Sequence, residues 1–131
     1  MRWLFVVGLT GCFGDGFPQE CETDRDCDEV CARNHECADA DEVRAVRVTW
    51  TLSGRPANDA TCASARQLAI TFYGPAFDDQ FGFSPVPCSA GLFSVDKIPK
   101  RFDAVDLGKL NVGATYAKLD ASGTAAIDLP Y

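Results

Sequence analysis

The sequence predicts a mainly β protein: an antiparallel β-sandwich preceded by a small disulfide-rich module. Apolar residues alternate with polar ones from Val43 onward, which is the period of a half-buried strand. Four of the seven cysteines fall between Cys21 and Cys37. Residues 13–42 carry eleven acidic and two basic side chains, whereas residues 43–131 carry eight acidic and nine basic ones. The cysteine density and the change in charge together predict a boundary between residues 42 and 43.

The N-terminus has the pattern of a secretory signal, with a positive charge at Arg2, an apolar run from Trp3 to Leu9, and two small residues before a cysteine. The stretch Leu9-Thr10-Gly11-Cys12 resembles the bacterial lipoprotein signal. That resemblance implies that residues 1–11 are a signal peptide and that Cys12 becomes the acylated N-terminus. Acyl chains hold a protein to a bilayer through about 0.8 kcal/mol per buried CH₂.

Two other interpretations of this N-terminal segment can be weighed. A membrane-spanning helix needs about 20 apolar residues, and the run before Cys12 reaches only about 13 Å as a helix, so the segment is too short to cross a bilayer. The alternative is a buried strand that opens a cytoplasmic domain. The tether that would follow, residues 12–20, is rich in glycine, which is typical of a flexible linker.

Seven cysteines in a short chain are typical of an exported protein, because disulfides persist in oxidising compartments. If Cys12 is acylated, six cysteines remain and close three bridges. Residues 21–42 form an acidic module whose one large aliphatic residue is Val30, so crosslinks must replace a core there. Its four cysteines allow three pairings. Cys62 and Cys88 are then left to pair with each other.

The spacing Cys21, Cys27, Cys31, Cys37 resembles small EGF-like or dickkopf-like knots that pair alternately. This resemblance implies the bridges Cys21–Cys31 and Cys27–Cys37.

We expect no metal and no cofactor. A zinc site would draw on three of these cysteines and the one histidine, but the spacings differ from those of common zinc fingers and thiolates suit reducing compartments. A calcium loop would begin with three aspartates at alternate positions, but it lacks the central glycine and the final glutamate. The two candidate sets are Cys27, Cys31, His35 and Cys37 for zinc, and Asp24, Asp26 and Asp28 for calcium.

The sandwich, residues 43–131, is expected to contain six or seven short strands. The strongest places Val46, Val48, Trp50 and Leu52 on one face, with Trp50 in the core. The others are expected at about 66–73, at 81–83 where Pro85 and Pro87 end a short segment, and at 92–98, 102–110, 115–119 and 124–129. One or two helical turns are expected only around 59–66.

The turn Asp120-Ala-Ser-Gly123 is expected to close a tight hairpin between the last two strands. The architecture expected is an immunoglobulin-like or transthyretin-like sandwich. The match to the immunoglobulin family is limited to general architecture, because in that family the core tryptophan lies between the two cysteines, whereas Trp50 precedes both Cys62 and Cys88.

Nothing in the sequence indicates catalysis, and we expect no enzyme. The one histidine, His35, lies in the acidic module, apart from the sandwich that would have to supply a nucleophile. No nucleophile elbow, P-loop or dinucleotide motif occurs. Two carboxylate pairs remain as candidates for glycoside hydrolysis, Asp78 with Asp79 and Asp103 with Asp106, but aspartate is common in turns.

Binding is more plausible than catalysis. The aromatic loop, residues 74–87, is long for a hairpin and offers Phe77, Asp78 and Asp79 as candidate ligand-binding residues for a glycan or another ligand. The alternation of apolar and polar residues favours the interpretation that Phe81 and Phe83 point into the core. Phe77 is then the exposed aromatic residue of the loop. A second candidate is the basic turn with Lys97, Lys100 and Arg101, which either contacts anionic lipid headgroups or is an ordinary solvated turn.

The whole chain resembles the small lipoproteins of myxobacteria and related δ-proteobacteria in its lipid-attachment motif, its acidic cysteine knot, its tryptophan-containing strand and its Val86-Pro87-Cys88 segment. The resemblance implies a cell-envelope location and no particular activity. We therefore expect a non-enzymatic lipoprotein with a structural or protein-interaction role. Its partners would be the membrane, through Cys12, and an envelope protein or glycan; the acidic half argues against nucleic acid. Phe13 after Cys12, by analogy with the enterobacterial sorting rule, favours the outer membrane.

Overall fold

A computed structural model describes residues 20–131. The predicted signal peptide, the predicted acylation at Cys12 and residues 12–19 of the predicted tether lie outside the described residues. The described part contains three single-turn 3₁₀ helices and no α-helix. Its strands are β1 (Val30–Cys31), β2 (Cys37–Ala38), β3 (Val43–Leu52), β4 (Arg55–Pro56), β5 (Gln67–Tyr73), β6 (Gln80–Pro87), β7 (Leu92–Pro99), β8 (Ala104–Lys109), β9 (Gly113–Lys118) and β10 (Thr124–Leu129).

The expected sandwich is confirmed. One sheet places β3 at its centre, with β10 on one side and both β4 and β7 on the other. The second sheet has the order β6-β5-β8-β9, and all of its pairs are antiparallel. Buried residues from both sheets form one core cluster. Around 59–66, where one or two helical turns are expected, the chain forms a turn and no regular helix; its Cys62 amide donates to the Asn58 carbonyl, four residues earlier, at 2.9 Å.

The alternation of β3 is confirmed residue by residue. Val46, Val48, Trp50 and Leu52 are each at most 4% exposed. The Trp50 indole nitrogen donates to the Cys88 carbonyl at 2.8 Å, so its polar atom is satisfied inside the core. Burial of one large aliphatic side chain contributes about 1.5–3 kcal/mol to the free energy of unfolding. This face of β3 is therefore a main source of stability.

The expected hairpin between the last two strands is wrong. The turn at Asp120 forms, with the Gly123 amide donating to the Asp120 carbonyl at 3.0 Å. However, β9 pairs with β8, whereas β10 crosses to the other sheet and pairs with β3 in parallel. Glycine at position 123 allows the crossing, because a Cβ there would lie 2.6 Å from the Ala45 carbonyl oxygen; the Arg47 amide also donates to the Gly123 carbonyl at 2.9 Å. The backbone of the turn therefore lies directly against β3.

The expected break at Pro85 and Pro87 is also wrong, because β6 runs through both residues. It is an edge strand, so it tolerates residues that have no N–H to donate. Phe81 and Phe83 pack against the core, as alternation predicts. The Phe81 ring lies 5.6 Å from that of Phe72 and 4.8 Å from that of Phe102, centroid to centroid.

The acidic module closes its own chain with covalent bonds. Disulfides join Cys21 to Cys31 and Cys27 to Cys37, the alternate pairing that the knot resemblance implies. Strands β1 and β2 add only a two-residue antiparallel ladder. A third disulfide, Cys62–Cys88, lies inside the sandwich.

The strand directions define two ends of the sandwich. The near end contains the connections 74–79, 99–103 and 119–123, and the far end contains 53–66, 88–91 and 110–112. The acidic module joins the near end, since Glu42 precedes β3 directly and its carbonyl accepts from the Lys100 amide at 2.8 Å. The two ends therefore present different chemistry.

Removal of the Cys62–Cys88 disulfide by the double change Cys62→Ala and Cys88→Ala should lower the free energy of unfolding by about 3.5 kcal/mol on the chain-entropy model for a loop of this length. Both sulfurs are also buried, so unfilled space adds to the loss. Urea denaturation followed by tryptophan fluorescence measures it. The double change Cys27→Ala and Cys37→Ala is the control and should leave the Trp50 transition nearly unchanged; equal losses in both variants would contradict the prediction.

Candidate functional site

The tip of the aromatic loop is a tight turn that displays one aromatic ring. The Gly74 amide donates to the Asp79 carbonyl at 2.8 Å, and the Asp79 amide donates to Ala76 at 3.1 Å. A Cβ on Gly74 would collide with the Asp79 carboxylate, so a side chain at position 74 would displace Asp79 from its place in the turn. Phe77 at the tip is 102% exposed relative to an extended reference. A shallow pocket with a volume of about 590 Å³ lies beside Phe77 and is lined by residues between Tyr73 and Gln80.

The three residues proposed for ligand binding do not share one environment. Phe77 and Asp78 are exposed at the tip. Asp79 points inward and accepts two hydrogen bonds from the Arg101 guanidinium, at 2.6 Å from Nε and 3.1 Å from Nη2. The Asp79 carboxylate is therefore already occupied by a bidentate ion pair, and only Phe77 and Asp78 are presented to solvent.

Arg101 is the centre of the contact between the module and the sandwich. Its guanidinium also pairs with Glu36 of the module, where Nη2 lies 2.9 Å from Oε2, and it stacks 4.6 Å from the centroid of the Phe102 ring. The hydrogen bonds that Arg101 donates to Asp79, and then those to Glu36, raise the pKa of Arg101 above its ordinary value. One cation thus links the acidic module, the aromatic loop and the core.

Two further ion pairs join the module to β7. Lys97 Nζ lies 2.8 Å from Asp24 Oδ2, and Arg33 Nε lies 3.1 Å from Asp96 Oδ1. A backbone hydrogen bond from the Arg33 amide to the Lys97 carbonyl, 3.0 Å long, lies between these pairs. Sequence reasoning missed this contact; the only available signal was the opposite charge of the module and the basic turn.

The basic turn is therefore neither free for lipid headgroups nor merely solvated. Lys97 and Arg101 bind carboxylates of the acidic module, while the Lys100 side chain is exposed. Lowered pKa values accompany the β7 pairs: the Lys97 ammonium lowers the pKa of Asp24, and the Arg33 guanidinium lowers the pKa of Asp96.

A cleft of about 520 Å³ lies between the module and the near end of the sandwich. Three of its four carboxylates already accept hydrogen bonds, Glu36 and Asp79 from Arg101 and Glu20 from the Cys37 amide. The lining residues are Glu20, Asn34, His35, Glu36, Ala76, Asp78, Asp79, Gln80, Phe81, Arg101 and Phe102.

The residues considered for metals have other roles in the described structure. The sulfurs of Cys21, Cys27 and Cys31 lie within 4.8 Å of one another, but they belong to disulfides and offer no thiolate to zinc. Asp24 accepts from the Cys31 amide as well as from Lys97. Asp26 accepts from two amides that precede it, at 2.9 and 3.0 Å. Two of the three calcium-loop candidates are therefore already satisfied.

Three of the four carboxylates considered for catalysis are also engaged, Asp79 through Arg101 and the other two as follows. Asp106 accepts from the Tyr73 hydroxyl at 2.6 Å, which raises the pKa of Tyr73. Asp103 lies 3.5 Å from Lys118 Nζ. The His35 ring contacts the Cys21 carbonyl at 3.1 Å, so the nearest polar partner of its Nδ1 is a backbone oxygen.

Acid should loosen the contact between the module and β7. Asp24 and Asp96 have lowered pKa values in the folded protein, so their contribution is complete above the ordinary value of 3.8 and is lost as the pH falls through the lowered values. We expect exchange of the Arg33 amide to accelerate several-fold, relative to its intrinsic rate, between pH 5 and pH 2.5. Salt at about 1 M should have the same direction of effect, because it screens exposed pairs.

The amide of Val48, in the core strand β3, is the internal control and should keep its protection. An Arg33 amide whose protection responds to neither acid nor salt would show that the ion pairs do not hold the module.

Comparisons of the chain with protein-family models, with curated proteins and with solved structures gave no match. Between residues 20 and 131, none of the helices has the length and apolar character needed to cross a membrane. The function is therefore inferred from the chemistry of this chain's own residues.

Proposed function

We propose that the protein is a non-enzymatic lipoprotein of the cell envelope, held to the membrane by acyl chains on Cys12, with a structural or protein-interaction role. One observation carries the proposal: six of the seven cysteines are bonded to one another in three disulfides. None of those six can therefore form a disulfide with Cys12. Cys12 occupies the cysteine position of the lipoprotein motif Leu9-Thr10-Gly11-Cys12.

Compartment chemistry supports the proposal. Disulfides of a small module that lacks its own core require an oxidising environment, which an exported protein meets. The Cys27–Cys37 bridge is the most accessible of the three, since Cys37 is exposed. It is therefore the bridge that a reducing cytosol would open first.

The geometry of the near end also supports a tether at the N-terminus. The described chain begins at Glu20, whose amide donates to the His35 carbonyl at 3.0 Å. Because the module joins the near end, a tether attached there leaves the far end pointing away from the surface that holds it. A role in contact with another envelope component is consistent with that arrangement.

The acylation is tested by fractionating cells that express the wild-type chain or Cys12→Ser. We expect the wild type in the membrane fraction, extractable by detergent, and the variant at least tenfold depleted from that fraction, because one or more acyl chains supply the membrane affinity. Metabolic labelling with a fatty acid should mark only the wild type. Equal distribution of the two chains between fractions would refute the proposal.

A second function is favoured by a specific observation. Phe77 is completely exposed beside a concavity of about 590 Å³, and it lies on a loop held by a rigid scaffold, where binding residues are common. We propose as the alternative that the aromatic loop, residues 74–87, binds a carbohydrate or another ligand through Phe77 and Asp78. In this alternative Asp79 holds the loop in place through Arg101.

Glycan-array binding by the wild-type chain and by Phe77→Ala tests the alternative. Loss of the aromatic face should weaken binding by about tenfold, in line with the contribution of one stacked aromatic ring. Leu110→Ala is the control, since Leu110 is also an exposed large apolar residue but lies at the far end. Absence of wild-type binding, or equal binding by the wild type and Phe77→Ala, would exclude this function.

A further inference from the structure

The edge strands of the sandwich longer than the two-residue β4 differ in how their open edges are protected. Strand β6 contains Pro85 and Pro87, which lack N–H groups, and β10 exposes Asp128. Strand β7 carries Asp96 and Lys97 and is bonded to the module. These are common ways in which proteins prevent edge-to-edge pairing. Strand β9 has none of them except Lys118 at its last position.

Strand β9 and the turn before it form an exposed apolar surface. Of the four exposed large apolar residues among residues 20–131, three lie here: Leu110 is 60% exposed, Val112 70% and Tyr116 58%. The stretch 110–117 contains no charged side chain. An uncharged edge strand with exposed apolar side chains is a template for pairing with another strand.

The hydrogen-bonding pattern shows which groups of β9 face outward. The Leu119 amide donates to the Asp103 carbonyl at 2.8 Å, which continues the ladder between β8 and β9. Ladder bonds alternate along an antiparallel strand. The amides of residues 115 and 117 therefore turn toward β8, and those of Ala114, Tyr116 and Lys118 turn toward the open edge.

We propose that β9 pairs antiparallel with β9 of a second copy of this chain, which joins two four-stranded sheets into one of eight strands. A second copy suits this edge because residues 110–117 are uncharged in both partners. The charges elsewhere in the chain select the direction. Residues 20–42 carry ten acidic and two basic side chains, and the module joins the near end. Antiparallel pairing places the two acidic modules at opposite ends of the joined sheet, whereas parallel pairing would bring them side by side.

The register is also free of charge conflict. Continuity of the two faces requires outward residues to lie opposite outward residues, so the two-fold axis passes through one residue and its own copy. Overlap along the whole six-residue strand places that residue at Tyr116 or Thr115. Lys118 then lies opposite Ala114 or Val112, and never opposite another lysine. In the first register the two Tyr116 side chains are direct cross-strand neighbours, which is a favourable aromatic pair.

This inference does not depend on the lipid anchor, and its test omits the anchor. The chain is exported with a cleavable signal in place of residues 1–11 and with Cys12→Ser, so that acyl chains contribute nothing to association. Sedimentation velocity between about 1 µM and about 1 mM should show the mass rising from that of one chain toward that of two. This concentration range is needed because an edge strand of six residues buries little area and gives a weak complex.

Two variants and one control identify the surface. Tyr116→Lys sets two cations against each other, and Ala114→Pro removes an outward N–H; each should raise the dissociation constant by about tenfold or more. Phe77→Lys, which changes a still more exposed ring at the near end, should leave the dimer unchanged. Circular dichroism checks that each variant is folded.

Amide exchange gives an independent measurement on the unmodified surface. Raising the protein concentration should slow exchange at Ala114 and Tyr116, whose amides face the open edge, and leave that of Ala117 unchanged. A wild-type chain that stays monomeric up to about 1 mM, or a dimer that is insensitive to both β9 variants, would overturn the proposal.

Discussion

The structure depends on the burial of one face of β3. This strand pairs with β10, β4 and β7, so it organises its whole sheet, and its inward side chains meet those of the second sheet in the single core. Trp50 adds a directional contact to this burial, because its indole nitrogen reaches the carbonyl of a bridged cysteine, Cys88. Strand pairing, core packing and the disulfide therefore reinforce one another at the same place.

The acidic module shows the opposite way of making a fold. It has almost no apolar core, so two disulfides fix its chain and ion pairs fix its position on the sandwich. Individually, exposed ion pairs contribute at most about 1 kcal/mol. The contact at Arg101 differs from an isolated pair, because one guanidinium serves two carboxylates and an aromatic ring at once. The acidic composition of the module thus also provides the means of docking it.

Local patterns in the sequence predicted the local features of the fold. Alternation predicted β3, the core position of Trp50 and the inward direction of Phe81, because the period of a strand is a property of neighbouring residues. The partner of β10 was not predictable in this way, since the turn at Gly123 suits a hairpin until the close approach of β3 is known. Arg101 illustrates the same limit at the candidate site, because its partners lie 22 and 65 residues away.

The parallel pair of β3 and β10 has a mechanical consequence. The described chain enters at the near end through Glu20 and finishes at the far end at Tyr131, beyond the last strand. Tension between an attachment at one end and a contact at the other would run along the strands, perpendicular to the hydrogen bonds that join them. Such a load shears many bonds together rather than opening them one at a time. The sandwich is therefore oriented to resist pulling along its long direction.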